Sequence, residues 1–306
     1  MATLYFLTRD LRNDYPRIGW LPQLPAGAER LWKQFASNGW EESEYPEIVL
    51  RQNGGQWQLF LSAIDSGRRD SADGHGRVIR MTLYLTGTTA EGESLAGLVS
   101  HFLKEVVGKG GTALKDLFLS HIGNNDPTAW RDEGDAKQNA AAADLLAALQ
   151  ALPPCLTAVE SPASWSGGCD GNLTAFFGVC RDLLTGKRDG MAISLANLLD
   201  CEVSKAMAAC RANGNTAVLL TGMGETSLPL KEFRQPPRVT ANPTGPARRT
   251  DGGAGRVDRR LGGYAIAAIG LLAVILAVRG CGGCGRKLND GSDAQSQHAI
   301  DTKTGK

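Results

Sequence analysis

Apolar and polar residues alternate along several short stretches near the start of the chain. Four of these stretches predict β-strands, at 3–7, 47–51, 57–64 and 78–86. Asn53-Gly54 between two of them favours the positive φ values of a tight hairpin turn. After Leu95, apolar residues recur at spacings of three and four, which predicts helices up to Pro153-Pro154. We therefore expect a strand-rich and then helical section over residues 1–152.

The pattern changes over residues 153–234, where short apolar runs alternate with helical patterns. The three runs lie at 156–159, 191–195 and 216–221. This alternation predicts a βαβαβ unit with a parallel sheet, hence an α/β fold. The strand-rich section is then either a separate domain or an antiparallel extension of the same sheet.

An uncharged apolar run covers residues 261–278, LGGYAIAAIGLLAVILAV. As a helix it would span about 27 Å at about 1.5 Å per residue, close to the roughly 30 Å hydrocarbon core of a bilayer. It predicts a single C-terminal transmembrane helix; a buried core helix is the alternative. The small residues Gly263, Ala267 and Gly270 could let two such helices associate.

The flanks of this run suggest a topology. Residues 235–260 are rich in Pro, Gly and Arg and predict a flexible linker, and residues 279–306 form a polar tail. Five arginines, at 248, 249, 256, 259 and 260, lie just before the run and three basic residues follow it, which favours a cytoplasmic N-terminal part. The N-terminus lacks a basic segment followed by an apolar run, so no signal peptide is expected. We expect a single-pass, tail-anchored protein with the lipid bilayer as partner.

Charge and cysteine content narrow the class of protein. Lys and Arg number 33 against 32 Asp and Glu, a formal net charge of +1, so no nucleic-acid partner is expected. Seven cysteines are too sparse for a disulfide scaffold. Cys281 and Cys284 form a lone CxxC without a second pair, so no metal site is expected. These two cysteines could be oxidised, palmitoylated or simply small residues in a flexible flank, and no motif identifies a cofactor.

Two predicted loops at the carboxyl ends of strands could bind an anion. The first, 164–172, carries Gly167, Gly168 and Gly171, whose backbone N–H groups could approach a phosphate. The second, 222–227, carries Gly222, Gly224 and Glu225. Either stretch could equally be an ordinary turn, since neither matches a dinucleotide fingerprint or a P-loop.

The charged stretch 68–77 is a further candidate site. Arg68, Arg69 and Arg77 could hold phosphate or carboxylate groups, and His75 could act as acid or base near neutral pH. A charged surface hairpin explains the same residues without any function.

The sequence contains no known catalytic motif. One cysteine is a weak candidate for a nucleophile. Cys169 follows Gly168 at a predicted helix start, where a thiolate would be stabilised. A membrane-tethered hydrolase using Cys169, or the carboxylates Asp170 and Glu225, is therefore one alternative.

A membrane-anchored sensor or adaptor is the function that this organisation favours. Its cytoplasmic part would bind a small anionic, nucleotide-like ligand or a protein partner. In architecture alone, the arrangement is similar to membrane-tethered sensors of bacterial defence and signalling, although no motif supports that likeness. Besides the hydrolase, a membrane-disrupting effector acting through a self-associating span is the remaining alternative.

Overall fold

A computed structural model describes residues 1–9, 19–33, 46–69, 76–123, 130, 132, 134–195, 214–222 and 225–232. The chain divides into two compact units, Met1–Val239 and Thr240–Lys306, and the second lies outside the described residues. The predictions for His75, for Gly224, for the linker, span and tail, and for Cys281 and Cys284 also lie outside them. Within the described part, no helix has the length and hydrophobicity needed to cross a membrane.

Nine strands and four helices make up the described fold. The strands are β1 Thr3–Thr8, β2 Trp20–Leu21, β3 Ile48–Asn53, β4 Gln56–Arg69, β5 Val78–Thr88, β6 Trp165–Gly168, β7 Gly190–Leu195, β8 Asn215–Leu220 and β9 Lys231–Glu232. The helices are α1 Ala96–His101, which continues as a π-helical turn over Phe102–Val107, α2 Ala113–His121, α3 Asp135–Gln150 and α4 Leu173–Leu184. Short 3-10 turns occupy Ala28–Leu31, Thr89–Glu91 and Glu93–Leu95.

All nine described strands form one mixed sheet, in the order β2-β1-β5-β4-β3-β7-β8-β6-β9. The first five strands pair antiparallel, and β3 joins β4 through Gly54 and Gly55, whose φ values of 60° and 82° fit the expected hairpin turn. Strands β6, β7 and β8 run parallel. This mixed sheet with helices confirms the α/β class.

The antiparallel pairing of β3 with β7 joins the two sections of the chain. Leu50 lies opposite Ala192, and both side chains are fully buried. The strand-rich section is thus an extension of the sheet that holds the parallel strands. This pairing also brings the β3–β4 turn and the start of β7 to the same edge.

The sheet is covered on both faces. One large apolar cluster lies between the sheet and the four helices and includes Trp57, Phe102, Phe118 and Phe176. A smaller cluster on the other face centres on Trp32, whose ring stacks on Phe60 at 4.5 Å between centroids. Since both faces are buried, exposed polar chemistry on this sheet is confined to its edges.

One predicted strand was wrong. Residues 156–159 form no strand, and the strand β6 lies instead inside the stretch that the glycines marked as a loop. The reason is a close backbone approach. A Cβ on Gly168 would lie 2.2 Å from the carbonyl oxygen of Thr226, so only glycine lets the 225–228 segment pack there.

Candidate functional site

The carboxyl ends of β6 and β8 lead into two loops that contact each other. Three consecutive backbone N–H groups of the first loop donate to carbonyl oxygens. Gly168 donates to Leu228 at 2.8 Å, Cys169 to Leu220 at 2.9 Å and Asp170 to Thr226 at 2.7 Å. These three N–H groups therefore already donate to acceptors within the protein. Anion binding by this loop stays a prediction, and it would need other donors.

The glycines of these loops have different structural roles. Gly168 allows the close approach of Thr226, and a Cβ on Gly167 would lie 3.0 Å from the amide nitrogen of Asn172. Gly171 has a φ of 87° with open space around it. Gly222 is buried and accepts a backbone hydrogen bond from Glu225 at 3.1 Å, which closes the start of the second loop.

The environment of Cys169 differs from that of a reactive nucleophile. Its side chain is only 8% exposed, and burial, together with the Asp170 carboxylate, raises the pKa of the thiol. A reactive cysteine needs the opposite shift. The described histidines bond elsewhere, His101 to Glu105 at 2.7 Å and His121 to Asp144 at 3.0 Å. No described contact therefore pairs Cys169 with a histidine; its thiol instead donates to a carboxylate oxygen of Asp170 at 3.9 Å.

The arginines of the 68–77 stretch point to separate partners. Arg68 is 2% exposed and donates to the carbonyl oxygen of Arg9 at 2.8 Å. Arg69 forms a surface ion pair with Asp65 at 3.1 Å, and Arg77 is exposed just before β5. The side chains of Arg68 and Arg69 thus do not converge to bind one anion.

A large cleft lies at the opposite edge of the sheet, where β7 and β8 begin and where the β3–β4 turn ends. Its volume is about 1300 Å³. The polar side chains that line it include Arg51, Gln52, Gln58, Lys187, Arg188 and Asn215, with the carboxylates Asp182 and Asp189. We call this site, defined by these residues, the amino-edge cleft.

Each wall of the amino-edge cleft has a clear origin in the fold. The sequence of β3 changes from apolar to polar at Arg51 and Gln52. Lys187 and Arg188 lie in the turn between α4 and β7. Because Gln52 pairs with Gly190 across the sheet, that turn is held beside the end of β3.

Among side chains, cations outnumber carboxylates in the amino-edge cleft, three to two. The Arg51 guanidinium donates to the side-chain oxygen of Gln58, a neutral group. Arg188 lies 4.0 Å from a carboxylate oxygen of Asp182, a long ion pair. Among the described residues, no carboxylate lies within ion-pair distance of Lys187 or Arg51. Two positive charges are therefore available to an anion.

Sequence patterns alone did not reveal this site. Arg51 and Gln52 occupy a predicted strand and its end, and Lys187 and Arg188 occupy an ordinary polar turn, more than 130 residues later in the chain. The only sequence signal is that the apolar run of β3 ends in three polar residues, Arg51, Gln52 and Asn53. Among the described residues, no cluster of His, Cys, Asp or Glu could hold a metal ion.

Comparison of this chain with protein-family models, with curated proteins and with solved structures gave no match. Its function is therefore argued from the chemistry of its own residues.

Proposed function

We propose that this protein is a membrane-anchored sensor or adaptor whose folded unit binds a small anionic ligand in the amino-edge cleft. The observation that carries the ligand part is the pair of cations, Arg51 and Lys187, that line the cleft without a carboxylate partner among the described residues. Guanidinium and ammonium groups are the usual ligands of phosphate and carboxylate groups.

The size of the cleft supports a ligand larger than a simple ion. Sites for small organic ligands have volumes of about 300–1,000 Å³. The amino-edge cleft, at about 1300 Å³, is large enough for such a molecule together with water. The turn that carries Lys187 and Arg188 follows directly on α4, so occupancy of the cleft could be relayed to this helix. A protein partner bound elsewhere on the folded unit is the alternative form of the proposal.

The membrane part of the proposal rests on residues 261–278. Their uncharged apolar composition fits one crossing of a bilayer, and the excess of arginines before them favours a cytoplasmic folded unit. The linker 235–260 would then hold the ligand-binding unit close to the inner membrane surface. Ligand binding in the cleft would thus take place next to the membrane and could be transmitted to it.

Neutralising the cations of the cleft should weaken anion binding. Lys187→Gln is expected to raise the Kd for inorganic tripolyphosphate about 10-fold, because one charge-assisted contact is worth about 1.5 kcal/mol or more. Adding Arg51→Gln should raise the Kd further, to about 100-fold. Binding is measured by calorimetry on the full chain in a mild detergent.

Lys104→Gln is the matched control, since Lys104 is exposed on the π-helical turn and does not line the cleft. It should leave the Kd unchanged. The ligand part of the proposal would be refuted by wild-type protein that binds no tripolyphosphate, or by equal losses in the control and cleft variants.

Deleting residues 261–278 should move the protein from the membrane to the soluble fraction. The full chain is expected to sediment with membranes after a carbonate wash, since about 18 apolar residues suffice to span the hydrocarbon core. Deletion of residues 289–306, a polar segment of the same length, is the control and should leave the protein in the membrane. A full chain that stays in the supernatant contradicts the anchor.

A further inference from the structure

Gln52 is a buried polar side chain with an unsatisfied acceptor. It is 4% exposed, and its side-chain oxygen has no hydrogen-bond partner among the described residues. Buried polar atoms almost always have a partner, because leaving one unpaired costs about as much as losing a hydrogen bond. Since Gln52 lines the amino-edge cleft, a bound molecule is a natural source of the missing donor.

Donors close to Gln52 are already in use. The indole N–H of Trp57, the cross-strand neighbour on β4, donates to the carbonyl oxygen of Thr88 at 2.7 Å. The amide of Gln58 donates to the Tyr84 hydroxyl at 2.9 Å, and the Arg51 guanidinium donates to Gln58. These contacts leave the buried oxygen of Gln52 without a donor among the described residues.

The backbone around Gln52 has little freedom to supply a donor by moving. Its other cross-strand neighbour, Gly190, has a φ of 135°, and a Cβ there would lie 1.9 Å from the carbonyl oxygen of Asn215. β7 is therefore packed tightly against β8 at this point. The position of Gln52 is set by this pairing on one side and by β4 on the other.

We infer that the ligand of the amino-edge cleft is an adenosine phosphate whose base is bound by Gln52. A glutamine amide matches adenine in two contacts, because its oxygen accepts from the exocyclic amino group while its N–H donates to N7. The phosphates lie against Arg51, Lys187 and Arg188. This inference rests on the proposed function, because it requires that the cleft bind an anion, and it adds the identity of the base.

The test compares three probes on the full chain in detergent: tripolyphosphate, ATP and inosine triphosphate. Inosine triphosphate carries an oxygen in place of the adenine amino group, so it cannot donate to Gln52. Wild-type protein is expected to bind ATP about 10-fold more tightly than inosine triphosphate. Gln52→Met should abolish this preference, so that ATP and inosine triphosphate bind equally.

Gln150→Met is the control variant, since Gln150 ends α3 and does not line the cleft, and it should keep the preference for ATP. Equal binding of ATP and inosine triphosphate by the wild type overturns the inference, whether or not Gln52→Met folds. So does a Gln52→Met protein that keeps the preference. If none of the three probes binds, the proposed function itself fails. If tripolyphosphate binds but ATP is not preferred over inosine triphosphate, only the identification of the ligand as an adenosine phosphate fails.

Discussion

Gly97→Ala is expected to lower the free energy of unfolding by about 3 kcal/mol or more. Alanine is normally the better helix former, by about 1 kcal/mol, so a substitution in α1 would ordinarily stabilise the helix. Here an added Cβ would lie 1.8 Å from the carbonyl oxygen of Leu152. Neither partner can yield easily, because Gly97 and its helix are buried and the clash is with backbone rather than with a flexible side chain. The overlap therefore reverses the sign of the usual effect.

Thermal unfolding of the full chain measures this change, and a drop in Tm of roughly 10 °C corresponds to the expected loss. Gly110→Ala is the matched control, because a Cβ there would meet only the carbonyl oxygen of Lys104, at an ordinary 3.6 Å. It should leave stability unchanged or raise it by up to about 1 kcal/mol. If the two variants melted at the same temperature, the packing of α1 against Leu152 would be wrong.

Glu47→Gln is expected to raise the free energy of unfolding by about 3 kcal/mol at pH 8 and by only about 1 kcal/mol at pH 5. Glu47 is 9% exposed, and burial raises the pKa of its carboxyl group from 4.5 to about 7. Two hydrogen bonds with Ser62 hold the residue in place: the Ser62 N–H donates to the Glu47 carbonyl at 3.0 Å, and the Glu47 N–H donates to the Ser62 hydroxyl at 3.2 Å.

The direction of the pH dependence follows from which state binds the proton. Between pH 4.5 and about 7 the folded protein keeps Glu47 protonated, whereas the unfolded chain has released that proton. Stability from this group is therefore fully present below pH 4.5 and is lost as pH rises through 7. Glutamine stays neutral at every pH, so the gain from the substitution grows with pH.

Urea unfolding of wild type and variant at pH 5 and pH 8 measures the effect as a difference, which cancels the titration of other groups. Glu160→Gln is the control. Its side chain is exposed, so the change in stability should stay within about 0.5 kcal/mol at both pH values. A Glu47→Gln effect of equal size at both pH values would contradict a buried, protonated carboxyl group.

Most of the antiparallel part of the fold could be predicted from the sequence. The strands expected at 3–7, 47–51, 57–64 and 78–86 correspond to β1, β3, β4 and β5. Their alternating polarity reflects burial of one or both faces, and this signal is local because side chains two apart share a face. The Asn53-Gly54 turn was predictable for the same reason, since its backbone geometry depends on neighbouring residues only.

Strand β6 could not be predicted in this way. A run such as Trp165–Gly168 contains two glycines, which locally favour a turn over a strand. Its place in the sheet depends on parallel pairing with β8, 50 residues later in the chain, and on the segment that packs over Gly168. The same limitation explains why the glycines suggested a phosphate loop, although their backbone N–H groups donate within the fold.

The order of polar and apolar residues thus determined the α/β class, the β3–β4 hairpin and the apolar run 261–278, because each depends on residues close together in the chain. Only the tertiary structure decided that β3 pairs with β7. That one pairing brings Arg51 and Gln52 beside Lys187 and creates the amino-edge cleft. The burial of Glu47 and the environment of Cys169 were likewise set by distant segments, since the solvation of a side chain depends on everything that packs around it.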